Sequence, residues 1–131
     1  MKLKPTHQGP KIAVHIRQGD YKEWANGIHY YSTEKYRNFI NELNHSLKGH
    51  ASFYIFSDSN LTEADFDIPN LTVSNHSVIE DLDLMSQCDY IVGPPSTFSA
   101  WASLYGQTPI FVLHDIKRIP LLSDFKIKTS R

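Results

Sequence analysis

Five short apolar runs, separated by helix-forming or polar stretches, constrain this chain more than any other feature. They are Lys11 to Arg17, Phe53 to Ser57, Leu71 to Ser74, Tyr90 to Val92 and Thr108 to Leu113. Compact runs rich in β-branched and aromatic residues are strand material. A helix follows the first run: Ser32 caps it, Tyr36, Phe39, Ile40, Leu43 and Leu47 keep helical spacing, and Gly49 stands just past its end. Ser77 with Glu80 makes a capping-box pattern for a second helix through Leu82, Leu84, Met85 and Cys88. A third opens on Ser96 and Thr97. Strands alternating with helices require right-handed crossovers between parallel neighbours. The expected fold is therefore α/β: a Rossmann-like, doubly wound parallel sheet of about five strands. A chain of 131 residues fits one domain, with its core over 11–115 and a tail over 116–131 that shows no period.

Composition removes several partners. A formal net charge of −1 creates no field for nucleic acid or an anionic membrane. No apolar run reaches the length of about 20 residues that spans a bilayer, and the first ten residues lack a signal-peptide core. A cytoplasmic location is expected, with a membrane-peripheral placement as its variant. The single Cys88 excludes an internal disulfide and reads as a buried, inert thiol. Sequons at Asn44, Asn60, Asn70 and Asn75 would matter only in a secreted protein. There is no G-x-G-x-x-G after the first strand, no phosphate loop of the ATPase kind and no G-x-S-x-G elbow. Two D-x-D sequences occur. Asp81 and Asp83 diverge on a helix, and Asp65 and Asp67 lie in an irregular acidic stretch, so no metal is expected.

Two segments fall at the carboxyl ends of strands, where doubly wound sheets bind ligands. In Asp89 to Gly106 (DYIVGPPSTFSAWASLYG), a strand, a Gly-Pro-Pro turn and a helix N-terminus follow one another. Unpaired N–H groups and the positive end of the helix dipole make such a place suited to a phosphate. Ser96 and Thr97 can cap the helix and hold an anion with the same geometry. The second segment is His15 to Tyr21 (HIRQGDY). Alternation puts His15 and Arg17 on one strand face, with Val14 and Ile16 on the other. Arg17 either grips a diphosphate or forms an ion pair with Asp20 or Asp58. His15 is a phosphate ligand, an orienting group, a proton carrier or a hydrogen-bonded core residue. Asp20 either closes the turn after Gly19 or holds Arg17. Asp81 either favours its helix dipole or accepts two N–H bonds from a guanine edge. Phe98 and Trp101 read as core. Tyr21, Trp24, Tyr30 and Tyr31 either wall a sugar or pack a loop.

At these residues the chain resembles a known superfamily. HIRQGDY is similar to the H-x-R-x-G-D motif of the GDP-fucose-dependent α-1,2-fucosyltransferases, relatives of the α-1,6- and protein O-fucosyltransferases. EDLDLMSQCDYIVGPPSTFSAWASLYG, from Glu80, resembles their second block, and FYIFSDS, from Phe53, resembles the strand between the two. The likeness covers roughly residues 11 to 115, three motifs in order. It implies the donor-binding C-terminal half of a GT-B glycosyltransferase, with GDP-fucose or a related GDP-sugar as donor. It further implies inverting transfer to a glycan acceptor without metal or other cofactor. Arg17 would neutralise the diphosphate and His15 support the donor near the reacting carbon, both as catalytic residues. Asp58, Asp81, Ser96, Thr97 and Phe98 would join Arg17 in binding the GDP-sugar, with Gly19 and Asp20 as structural support. The N-terminal half of such enzymes, which carries the acceptor surface, has no counterpart here. The expectation is a separate domain or partner chain for that role, or else a non-catalytic GDP-sugar-binding or regulatory module. A receiver-like interaction domain is the remaining rival, weakened because the first strand ends in His-x-Arg and not in paired acids. Gly93-Pro94-Pro95 and Ala100 depart from the pattern of the α-1,2 enzymes.

Overall fold

A computed structural model describes residues 9–18, 31–75, 77–95 and 97–126, with Thr97 described by its backbone only. Five strands form one parallel sheet: β1 (Lys11–Ile16), β2 (Ser52–Ser57), β3 (Leu71–Val73), β4 (Tyr90–Gly93) and β5 (Ile110–Val112). Their spatial order is β3-β2-β1-β4-β5. The expected Rossmann-like doubly wound sheet is therefore present. The chain leaves β1 toward β2 and β3, then returns to β1's other side with β4. That reversal opens a crevice between the carboxyl ends of β1 and β4. In register, Val14 lies opposite Val92, so His15 and Gly93 meet at its floor.

Helix α1 (Thr33–Ser46) covers one face. Its start follows from the Ser32 side chain accepting from Lys35 N at 3.3 Å, and Gly49 takes φ 73° just past its end. Tyr36, Phe39, Ile40 and Leu43 recur at helical spacing and are buried against Ile12, Val14, Ile16, Phe53 and Ile55. Fully burying each such side chain contributes about 1.5–3 kcal/mol, and this is the larger core. The segment after residue 115, without a period in sequence, adds to the same cluster. Phe125 stacks edge-on against Tyr90 at 5.1 Å, and Lys126 bridges antiparallel to Ile110.

Helices α2 (Val78–Ser86) and α3 (Thr97–Gly106) cover the opposite face. The capping box at the start of α2 is formed as expected: Ser77 accepts from Glu80 N, and Glu80 accepts from Ser77 N. Ala13, Tyr54, Ile91, Leu84, Met85 and Ala102 make the core here. One expectation fails. Trp101, read as core, is 66% exposed, because α3 turns Ser99, Ala102 and Ser103 inward. Those small residues at i, i+3 and i+4 form the buried stripe, and the aromatic side chain is left outside. Gly93 belongs to the same close packing. A Cβ there would lie 2.7 Å from Ser99 Oγ and 2.9 Å from Ser99 Cβ.

The stretch between β2 and β3 holds one 3₁₀ turn, Glu63–Asp65, and the buried Phe66. Glu63 accepts from Val73 N at 2.8 Å on the open edge of β3, and this bond holds its carboxyl below the usual range. On the inner edge Ser74 N donates to Ile55 O, so the end of β3 is fixed from both sides. Among the described residues no helix is long and apolar enough to cross a membrane.

Candidate functional site at the switch point

A cleft of about 270 Å³ opens at the carboxyl edge of the sheet. His15 and Arg17 line it from β1, Phe56, Ser57 and Asp58 from the end of β2, Val78 and Asp81 from α2, and Phe98 from the first turn of α3. The structure thus gathers His15, Arg17, Asp58, Asp81 and Phe98, five of the residues proposed from sequence. Gly19, Asp20 and Ser96 lie outside the described residues, as do Tyr21, Trp24 and Tyr30, and nothing is described of the Thr97 side chain. Tyr31 does not line this cleft: its ring packs edge-on to Tyr36, and its hydroxyl donates to His114 O at 3.1 Å.

Arg17 pairs with Asp58 through Nε, 3.7 Å from Oδ2. Both side chains are about a third exposed, so the pair contributes roughly 0–1 kcal/mol to stability. Its geometric effect is larger. The other Asp58 oxygen accepts from Gln18 N at 3.0 Å, and Gln18 Nε2 donates onward to Tyr31 O at 3.1 Å. A single carboxylate therefore aims the guanidinium and anchors the chain as it leaves β1. Asp58 is a holder of Arg17 in this arrangement. The sequence offered Gln18 no signal beyond membership in a polar loop.

His15 is only 6% exposed, and its ring lies 5.0 Å from that of Phe98. Nδ1 has no hydrogen-bond partner among the described residues. Burial, with a further contribution from the Arg17 cation, pushes its pKa down to about 4, against a weaker opposing pull from Asp58. At neutral pH the ring is uncharged and offers one N–H donor and one acceptor. Cys88, by contrast, is a buried thiol whose pKa burial raises to about 12, which makes it inert.

Asp81 sits one turn into α2 and accepts from Ser74 Oγ at 2.5 Å. Val78, three residues earlier on the same helix face, is 70% exposed and lines the cleft beside it. The site therefore has two ends: a cation with a buried imidazole near the start of α3, and a carboxylate beside an aliphatic surface on α2. Among the described residues it carries one cation and two carboxylates. The positive end of α3, equivalent to about half a charge, shifts the balance at the first of these ends toward an anion.

A Rossmann-like sheet with a cleft at its switch point has its cavity where doubly wound sheets bind their ligands. The family described as "Glycosyl transferase family 11" matches residues 3–115, and the chain belongs to that family. It is a fucosyltransferase-like glycosyltransferase. No curated protein matches the chain.

Proposed function

We propose that this domain binds GDP-fucose, or a related GDP-sugar, and that the sugar passes to a glycan hydroxyl with inversion and without a metal ion. One observation carries the reading: the cleft joins Arg17, His15 and the first turn of α3 at one end to Asp81 at the other. A nucleoside diphosphate has matching ends, an anionic group and a base edge with hydrogen-bond donors.

As the bond from the sugar's anomeric carbon to the β-phosphate oxygen breaks, negative charge grows on the departing diphosphate. Arg17, already aimed by Asp58, shares its guanidinium with those oxygens, and the N–H groups opening α3 add fixed donors. A preorganised cation does most where charge develops, so its effect falls on the rate as well as on binding. His15, uncharged with its pKa near 4, supports a donor oxygen through one N–H and leaves charge compensation to Arg17. Attack by the acceptor oxygen on the face opposite the leaving diphosphate turns a β-linked donor into an α-linked product. The acceptor hydroxyl's proton goes to a base on the acceptor side.

Calorimetric titration with GDP in EDTA, with GMP and ADP as controls, tests the donor site. Selective GDP binding is the expected result, and absence of binding would remove the reading. Incubation with GDP-fucose and a β-galactoside acceptor tests transfer, and an α-linked product formed in EDTA is the expected outcome.

A further inference from the structure

A carboxylate alone is a poor discriminator of bases, because rotation about its Cβ–Cγ bond is nearly free. Asp81 is not in that condition. The Ser74 hydroxyl donates to its Oδ1 at 2.5 Å, and Ser74 itself is immobilised by its backbone. Its N–H continues the sheet ladder to Ile55 O at 2.8 Å, and the preceding Val73 N–H is held by Glu63 at 2.8 Å. Asp81 N in turn bonds Ser77 O at 2.8 Å, so the α2 backbone beneath the carboxylate is also fixed. Val78, on the same helix face, supplies the apolar surface on which a flat base can lie while its edge meets the carboxylate.

We infer that Ser74 is a positioning residue whose hydroxyl sets the plane of the Asp81 carboxylate, so that the site selects a purine edge with two adjacent N–H donors over one without them. The inference rests on the GDP reading of the cleft and adds the residue that orients the carboxylate meeting the base. An ionised carboxylate only accepts hydrogen bonds. Guanine offers N1–H and the 2-amino group side by side. Adenine presents a bare N1 and a C–H there and gives the carboxylate no donor. Sites built around such a pair reject the analogue lacking its donors far more strongly than apolar pockets reject a change of shape.

The test compares GDP and ADP binding by calorimetry in the whole chain, its Ser74→Ala and Ser74→Thr variants, with thermal midpoints recorded for each. Loss of one charge-assisted hydrogen bond predicts a GDP affinity about tenfold lower in Ser74→Ala. ADP affinity and the midpoint should hold, and Ser74→Thr, which keeps the hydroxyl, should restore GDP binding. Equal losses for GDP and ADP would make Ser74 a structural residue and overturn the inference. A GDP-selective wild type whose GDP-to-ADP ratio is unchanged in Ser74→Ala would overturn the inference alone. A wild type that binds neither nucleotide would overturn the nucleotide reading and this inference with it.

Discussion

The two faces of the sheet are built from the same strands by opposite rules. Under α1, alternate residues of β1 (Ile12, Val14, Ile16) enter a cluster of large aliphatic and aromatic side chains. Under α2 and α3 the intervening residues are Ala13 and His15, and α3 answers them with Ser99, Ala102 and Ser103. One face therefore maximises buried apolar area. The other brings helices close with small residues and accepts a buried imidazole whose Nδ1 has no hydrogen-bond partner among the described residues. An unpaired polar group in a core costs stability. Here that cost falls where the ligand is proposed to bind, which is where strain and unsatisfied groups gather in binding sites. The comparison teaches that stability and recognition are divided between the faces, and each expectation below can break that division.

The largest effect belongs to the α1 face. Phe39→Ala removes a fully buried ring and should cost about 3–5 kcal/mol in denaturant unfolding. GDP affinity of the folded fraction should not change. A drop in both would show that the faces are coupled.

The next effect is the pH response of His15. In the unfolded chain the imidazole protonates near 6.5, whereas in the fold it stays neutral down to about 4. Between these values the unfolded state holds the extra proton, so stability falls as pH drops. The loss should reach about 3 kcal/mol by pH 4 and contribute nothing above 6.5. Unfolding curves of wild type and His15→Leu across this range give the difference directly. Parallel curves would place the burial penalty elsewhere.

Arg17→Ala follows, with GDP affinity reduced by about 1.5–3 kcal/mol and unfolding little affected, because the partly exposed pair with Asp58 contributes little. An unchanged dissociation constant would rule out the guanidinium as the phosphate ligand. Lys at this position would keep the charge but lose the planar fork, so only partial recovery is expected.

How much of this was legible in the sequence divides the same way. Alternation in KIAVHIR placed His15 and Arg17 on one face, and the capping residues Ser32 and Ser77 fixed where α1 and α2 begin. Local rules of period two and of helix caps carry such information within a few residues. The Ser74–Asp81 bond is also close in sequence, seven residues apart, yet it was missed. Its formation depends on β3 ending beside β2, a pairing set by distant chain. The ion pair of Arg17 with Asp58 was one of the alternatives the sequence offered, but the bond from Gln18 N to the same carboxylate, about forty positions away, appears only once β1 and β2 lie side by side. The segment after residue 115 gave no period because Ile116, Ile119, Leu122 and Phe125 dock as an irregular strap on a preformed face.

Trp101 is the sharpest lesson and the smallest expected effect. A large aromatic at helical spacing from Phe98 reads as core, because apolar area is the usual signal of a buried stripe. In α3 that signal misleads. The sheet and α2 approach the helix so closely that only small side chains fit between them, and at Gly93 even a Cβ would collide with Ser99. Trp101 is displaced outward and left two-thirds exposed. Trp101→Ala should therefore shift unfolding by no more than about 0.5 kcal/mol, the range of surface substitutions. Ala102→Leu, one residue along, should cost about 1–3 kcal/mol by overpacking. If the order were reversed, with Trp101→Ala the costlier change, the small-residue face would not be the one that meets the sheet, and the division between the two faces would fail at its most exposed point.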